Sequence, residues 1–311
     1  MRTLVTGGGG FIGRHLVAHL LALGHRVCVL DDFSTGDRDA LLALAERGSL
    51  TVVEADVREP IQLEADACVH LACPASPVHY QADPVRTLEV AVWGTRQVLT
   101  WASSTGARVV HASTSEVYGD PEVHPQPEHY PGRVDPLSVR GCYDEGKRAA
   151  EALCQDVRRT RDVDVRVLRI FNTYGPGMHH NDGRVVPAFI ADALAGRPLR
   201  VHGSGLQSRS FCYVDDLVQA LVGALRAQEP PPGPVNVGRA EETTVLELAH
   251  RINRLVGNAA GVEHTPRPEA DPSRRCPDLA RVRAWLGWSA EVGLDEGLLR
   301  TLEAMRPSLT R

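Results

Sequence analysis

The chain has 311 residues, with 34 Lys+Arg against 39 Asp+Glu, a formal net charge of −5 and 43% hydrophobic residues, enough for one large core or two small ones. Acidic and basic residues are interspersed, so no basic block argues for nucleic acid and no charged tail for a binding arm. No apolar run reaches membrane-spanning length, and the seven cysteines (28, 68, 73, 142, 154, 212 and 276) are odd in number, scattered and without a CxxC pair, which predicts reduced thiols in a cytoplasmic protein.

In chain order, Met1 to Thr6 runs straight into a short buried strand (Thr3–Thr6) and a glycine loop, leaving no room for a signal peptide. Gly7, Gly10 and Gly13 with Phe11 and Ile12 precede an amphipathic run, Arg14 to Leu23. The next strand, Arg26–Leu30, closes on Asp31-Asp32. This is a βαβ unit whose glycines permit a tight turn and let backbone N–H groups reach a pyrophosphate. A glycine loop alone is weak, but this one follows a strand, opens a helix and lies 18 residues ahead of Asp31. A carboxylate there accepts hydrogen bonds from a ribose diol and repels a 2′-phosphate, so NAD is expected rather than NADP.

Asp39 to Arg47 reads as a helix and Leu50–Val53 as a strand, with Asp56-Val57 after it, placed for adenine contacts. Ala67–Ala72, ending in Leu71-Ala72, is a fourth strand that runs into a rigid turn, Cys73-Pro-Ala-Ser-Pro77. Asp83 to Ser104 reads as one long helix with Val85, Leu88, Val92, Val98 and Leu99 apolar. Arg108–Ala112 is the fifth strand, delivering Thr114, Ser115 and Glu116 to the crevice at the carboxyl edge of the sheet. Asp120 to Pro136, rich in Pro and Glu, reads as a surface loop. Tyr143 and Lys147 are four apart on a helix running to about Arg159, so they share a face. An ammonium beside a phenol lowers the phenol pKa and suits it to general-base work. Val163–Ile170 then ends in Phe171-Asn172-Thr-Tyr-Gly-Pro176. Strands alternating with helices predict an α/β fold with a doubly wound, Rossmann-type parallel sheet.

Further on, Val185–Ala195, Asp215–Arg226 and Thr244–Val256 read as helices, the last capped by Thr243 or Thr244. Leu199–His202 and Val235–Val237 read as strands, with Glu229–Pro234 a stiff linker, and two more helical runs lie between Pro277 and Met305. His179-His180 lacks i,i+4 spacing and an accompanying Cys or acid cluster, so a loop is expected and no metal.

On the glycine loop, Ser113-Thr-Ser-Glu-Val-Tyr-Gly119, Tyr143/Lys147 and Phe171–Pro176, the chain resembles the extended short-chain dehydrogenase/reductases. Within them it is similar to the UDP-glucuronate decarboxylases (UDP-xylose synthases). The narrower match rests on His70-Leu-Ala-Cys-Pro-Ala-Ser-Pro77, Ser113 to Pro125, Cys142–Arg148, Asp182–Val186, Gln207–Phe211, Asp271–Asp278 and Leu286-Gly-Trp288, and covers nearly the whole chain. The resemblance implies a tightly held NAD⁺ and no net redox change. Tyr143, Lys147 and Thr114 would oxidise the sugar at C4, with Glu116 and Arg209 serving CO₂ loss and reprotonation. It also implies a substrate site of Pro74, Ser76, Ser115, Asn172, Arg184, Val201, His202, Arg209 and Arg275. Residues 1–172 with about 211–237 would bind NAD, and a smaller discontinuous domain, 173–210 with 238–311, the nucleotide sugar. A homodimer would form through the helices Asp83–Ser104 and Tyr143–Arg159.

Three positions depart from the family pattern: Ala91 stands for an Asn, Gly177 for the Arg of Gly-Pro-Arg-Met, and His202 for a Tyr. Taken singly, Arg184, Arg209 and Arg275 are as easily solvated surface arginines, and Glu116 a simple capping or paired acid. The competing activities are a UDP-glucuronate 4-epimerase, which would keep the carboxylate, and a nucleotide-sugar 4,6-dehydratase, which would need an acid directly before Glu116. A catalytically silent NAD-binding scaffold is the non-enzymatic reading, disfavoured by the intact Thr114/Tyr143/Lys147 set.

Overall fold

The computed structural model describes residues 1–268 and 271–309, with side chains to Arg306. The strands are β1 (Arg2–Thr6), β2 (Arg26–Asp31), β3 (Leu50–Glu54), β4 (Ala67–His70), β5 (Arg108–Thr114), β6 (Val165–Ile170), β7 (Thr173–Tyr174), β8 (Leu199–His202), β9 (Ser208–Ser210), β10 (Cys212–Tyr213), β11 (Val235–Val237), β12 (Glu242–Thr244), β13 (Val262–Thr265) and β14 (Arg274–Arg275). The helices are α1 (Phe11–Ala22), α2 (Arg38–Leu42), α3 (Pro77–Ala82), α4 (Pro84–Glu89), α5 (Thr95–Thr105), α6 (Gly141–Arg161), α7 (Val185–Leu194), α8 (Val214–Arg226), α9 (Val245–Val256), α10 (Ala280–Leu286) and α11 (Leu294–Leu309).

Seven strands form one wholly parallel sheet in the order β11-β6-β5-β4-β1-β2-β3. Its central strands are apolar and buried on both faces, as a parallel sheet between helix layers requires. Leu16, Val17 and Leu20 of α1 and Leu217 and Leu221 of α8 cover one face; Val98, Leu99 and Trp101 of α5 and Cys154 of α6 cover the other. The chain order reverses between β1 and β4, which opens the ligand crevice at the carboxyl ends of the strands. Beyond this sheet lie three small ones: β7 with β10, β8 with β13, and β12-β9-β14. α9 begins with a reciprocal cap in which Thr244 Oγ1 accepts from Glu247 N–H and Glu247 returns the bond to Thr244 N–H.

Three expectations need correction. The helix read as Asp83–Ser104 contains a π-helical turn, Val90–Gly94, between α4 and α5. There the backbone ladder widens, and the Thr95 hydroxyl donates to the Ala91 carbonyl at 2.6 Å. The helix read as Asp39–Arg47 is a short α-helix followed by a 3₁₀ turn, Ala43–Arg47. The stretch read as a surface loop, Asp120 to Pro136, buries Gln126 and Glu128. Gln126 Oε1 accepts from Cys276 N–H (2.8 Å) and Glu128 Oε1 from Asn236 N–H (3.0 Å). These polar side chains serve backbone groups of remote strands, so composition alone misplaced them.

Candidate active site

β5 carries the first wall. At its end Thr114 Oγ1 accepts the Glu116 N–H at 3.2 Å, turning the chain into a 3₁₀ segment, Ser115–Tyr118. That places Thr114, Ser115 and Glu116 at the carboxyl edge of the sheet. α6 packs beside it and presents Tyr143 and Lys147 to the same cavity. Lys147, buried, donates from Nζ to the Ala112 carbonyl at 2.8 Å. The Tyr143 ring stacks on Tyr80, with centroids 5.2 Å apart and planes 6° off parallel.

The expected depression of the Tyr143 pKa is not found. Burial pushes the phenol well above its ordinary value, the neighbouring Cys73 and the Glu116 carboxylate push the same way, and a hydrogen bond with Thr114 opposes them. Positive charge placed beside the phenol would lower that value and suit it to accept a proton.

Glu116 is the electrostatic centre. Both Arg275 Nη atoms reach its carboxylate, and Arg140 adds a third contact. Burial alone would raise the Glu116 pKa, but the two guanidiniums outweigh it and hold the carboxylate ionised. Asp144, one turn after Arg140, bears the opposite balance: burial first, then the Glu116 charge, lifts it to about 7. Its Oδ1 is buried without a hydrogen-bond partner.

Asn172, Arg184 and Arg275 line the cavity with Ser76, Ser115, Glu116, Tyr143 and Lys147. Arg184 Nε donates to Asp182 at 2.7 Å and its guanidinium lies 5.7 Å from the Phe11 ring centre. Arg209 is set back from the lining. It neighbours Arg275 across the β9–β14 ladder, and its Nη2 donates to Asp271 at 2.7 Å. Val201 is fully buried, and His202 is exposed with Nδ1 2.7 Å from Thr265 Oγ1. Neither lines the cavity.

A second pocket adjoins the first, lined by Gly7, Gly10, Asp31, Asp32, Val57, Leu71, Ala72 and Pro74. Gly7 has φ +72, and a Cβ on it would lie 2.7 Å from Ala72 N; one on Gly13 would strike the Gly7 carbonyl. The loop therefore packs at a closeness only glycine allows, with helix α1 opening from it. Asp31 accepts from Gly9 N–H and Phe33 N–H, both at 2.8 Å, so it fastens the loop as well as facing the pocket. Asp32 and Asp56 share Arg86. The Gly177 departure has a structural counterpart: Arg14 Nη2 donates to the Gly177 carbonyl at 3.1 Å, and a Cβ at 177 would meet that nitrogen at 3.1 Å. Arg14 thus fills the space beside Gly177, with its Nε buried and unpartnered.

The profile of the NAD dependent epimerase/dehydratase family matches residues 3–238. The chain belongs to this family. It is 48% identical over 298 residues to UDP-glucuronic acid decarboxylase 2 of Arabidopsis thaliana, covering 96% of this chain and 66% of that relative. To UDP-glucuronic acid decarboxylase 1 of Danio rerio it is 47% identical, covering 97% and 72%. The chain thus spans about two thirds of the length of the plant relative. Among solved structures, UDP-glucose 4-epimerase of Thermotoga maritima is similar at TM-score 0.89 and 27% identity, covering 99% of this chain and 100% of that one. The dTDP-glucose 4,6-dehydratase DesIV of Streptomyces venezuelae, with NAD bound, is similar at TM-score 0.89 and 29% identity, covering 99% and 97%.

As a member of the family the chain uses NAD. The close-packed glycine loop, the carboxylate of Asp31 and the Leu71-Ala72 floor fit that dinucleotide, with Tyr143 and Lys147 at the far end of the same crevice. Arg140, Tyr80, Arg86 and Arg14 also shape the site and lie outside the motifs read in the sequence, whereas Asp144 falls inside Cys142–Arg148. Arg14, next to Gly13, and Asp144, next to Tyr143, are the two that a motif neighbour could have flagged.

Proposed function

We propose that this chain decarboxylates UDP-glucuronate to UDP-xylose through a 4-keto intermediate. The observation that carries this reading is Glu116, a largely but not fully buried carboxylate kept ionised by Arg275 and Arg140 in the cavity that also holds Tyr143. The relatives at 46–48% identity, named UDP-glucuronic acid decarboxylases, support it, whereas the 4-epimerase of Thermotoga maritima shares the fold at 27%.

The glycine loop, Asp31 and Leu71-Ala72 would hold NAD, which when bound would supply reversible hydride exchange at the sugar C4. Tyr143 takes the C4 hydroxyl proton, aligned by Thr114, with Lys147 fixed on the β5 backbone beside it. With C4 a ketone, the carboxylate on C5 is β to a carbonyl. The C5–C6 bond breaks, its electrons enter the enolate, and CO₂ leaves. Once the diphosphate draws Arg275 away from its pair, Glu116 faces that carboxylate with less of its charge offset, and CO₂ loss relieves the repulsion. A proton added at C5 restores the saturated ring, so the overall change is one proton consumed and one CO₂ released. Asn172, Arg184 and Arg275 supply donors and positive charge for the diphosphate, and guanidiniums suit it because their planar fork donates bidentately. Arg209, one strand further, adds to the same positive wall.

The nucleotide sugar is assigned to residues 173–210 and 238–311, and NAD to 1–172 with about 211–237. We also infer a homodimer across α4–α5 and α6, because Val85 (69% exposed) and Trp93 (53%) leave large apolar side chains open on that face. A cytoplasmic location rests on the free thiols alone.

The test is incubation of the protein with UDP-glucuronate and catalytic NAD⁺, followed by mass spectrometry. A product lighter by one CO₂, formed without added reductant, supports the proposal. An unchanged mass with a new chromatographic peak identifies a 4-epimerase instead.

A further inference from the structure

Away from the cavity, three segments remote in sequence bring together an imidazole, a carboxylate and a thiol. His124 Nε2 lies 3.0 Å from Glu242 Oε2. The ligand atoms of His124, Glu242 and Cys276 all lie within 4.8 Å of one another. Two ligands at about 2.0 Å from a tetrahedral zinc ion stand roughly 3.3 Å apart, so the His–Glu separation already matches and only the sulfur has to close in.

The three side chains are held from behind. Gln126 N–H donates to the Cys276 carbonyl and Cys276 N–H to Gln126 Oε1, both at 2.8 Å, which stitches the His124 segment to the Cys276 strand. Gln126 Nε2 donates to the Val123 carbonyl at 2.8 Å, fixing the residue before His124. Ser208 Oγ donates to Glu242 Oε1 at 2.6 Å and leaves Oε2 for another partner. Cys276 is buried, with its Sγ 3.3 Å from the Ala240 carbonyl, while His124 is exposed and opens the cluster to solvent. Such outer contacts aim ligands at a metal before it arrives.

We propose that His124, Glu242 and Cys276 form a binding site for a thiophilic divalent cation of the zinc class, with the fourth position left to water. A thiolate with an imidazole and one carboxylate selects such an ion over magnesium or calcium, which demand oxygen ligands. The members of the cluster lie on three segments remote in sequence, so no local spacing marks them as adjacency marks His179-His180.

The location gives the site a consequence. Glu242 begins β12 and Cys276 follows β14, the two outer strands of the β12-β9-β14 sheet. The strand between them carries Arg209, and the residue before Cys276 is Arg275. A cation here ties together the sheet that brings Arg275 to the cavity with Arg209 behind it.

The test uses full-length, NAD-loaded protein treated with chelator and dialysed against micromolar ZnCl₂, and in parallel CoCl₂. One zinc per chain is expected, with a thiolate-to-cobalt absorption band in the near ultraviolet. Zinc should raise the melting temperature of the wild type and leave that of Cys276→Ser unchanged. Glu242→Gln should weaken zinc binding by more than about tenfold, the scale of loss that even outer partners of a metal produce. Failure of the wild type to take up stoichiometric zinc overturns the proposal. So does a cobalt band that persists in Cys276→Ser, because it would place the metal on another thiol.

Discussion

The two walls of the cavity are built differently. The wall from β5 and α6 is fixed by the backbone of the central sheet: Thr114 caps its own turn, and Lys147 is pinned to the Ala112 carbonyl. The wall from β14 presents Arg275, with Arg209 of β9 set behind it, and charge fixes the position of both. Arg275 is committed to Glu116 and Arg209 to Asp271, so incoming anions compete with carboxylates for them. The first wall holds Tyr143, Lys147 and Thr114 in place before substrate arrives, although burial still keeps the Tyr143 phenol protonated. The second is organised by ion pairs that substrate must rearrange.

Removing the acid–base group of the fixed wall gives the largest expected effect. Tyr143→Phe should lower turnover by about 10²–10⁴-fold while NAD affinity, followed by fluorescence quenching, stays within a few-fold. Activity near wild type would remove Tyr143 from its role.

The charged wall should break through stability. Arg140→Met leaves Glu116 with one partner fewer in a buried site, and loss of one member of such a cluster costs about 3–5 kcal/mol. Because the native Glu116 pKa is depressed, its contribution is present above the ordinary carboxyl range and lost as pH falls through the native value. Urea unfolding should therefore show a larger deficit for the variant at pH 7 than at pH 4. A pH-independent deficit would mean that Arg140 acts through packing.

Asp144 has the opposite sign. Its native pKa is raised to about 7, so its protonated form is favoured, and the stability it contributes is lost as pH rises from the acid range through about 7. Asp144→Asn should gain on the wild type between pH 5 and pH 8 in thermal melts. A gain that shrinks with rising pH would refute this balance.

The smallest effect falls on the cradle. Arg14→Ser should weaken NAD binding about two- to fivefold, the scale of a partly exposed charge contact, and reduce its salt dependence. Unchanged affinity at low salt would show that Arg14 serves only its protein partners, Asp37 and the Gly177 carbonyl.

The fixed wall was legible in the sequence, and the charged wall only partly. The glycine loop after a strand, the apolar run ending at Thr114, and Tyr143/Lys147 at helical spacing are local patterns, and the chain folds them as read. The state of Tyr143 was misjudged because spacing brings the lysine near but says nothing of burial, which dominates the phenol's pKa. Arg140 on Glu116 and Tyr80 under Tyr143 are contacts across 24 and 63 residues, and no periodicity encodes them. The Asp120–Pro136 segment misled through composition, since its buried Gln126 and Glu128 answer backbone groups that only the tertiary fold brings near. The π turn at Val90–Gly94 escaped because a one-residue widening hardly disturbs a helical apolar pattern.

The central claim is that Glu116 serves carbon dioxide loss and the Tyr143 wall serves oxidation. Single-turnover mixing of NAD-loaded Glu116→Gln with carboxyl-labelled UDP-glucuronate, following NADH absorbance and released label together, tests it most directly. The account predicts that NADH forms at close to the wild-type rate while label release slows by at least about tenfold. Equal slowing of both signals would contradict it, and would make Glu116 part of the oxidation step or of substrate binding.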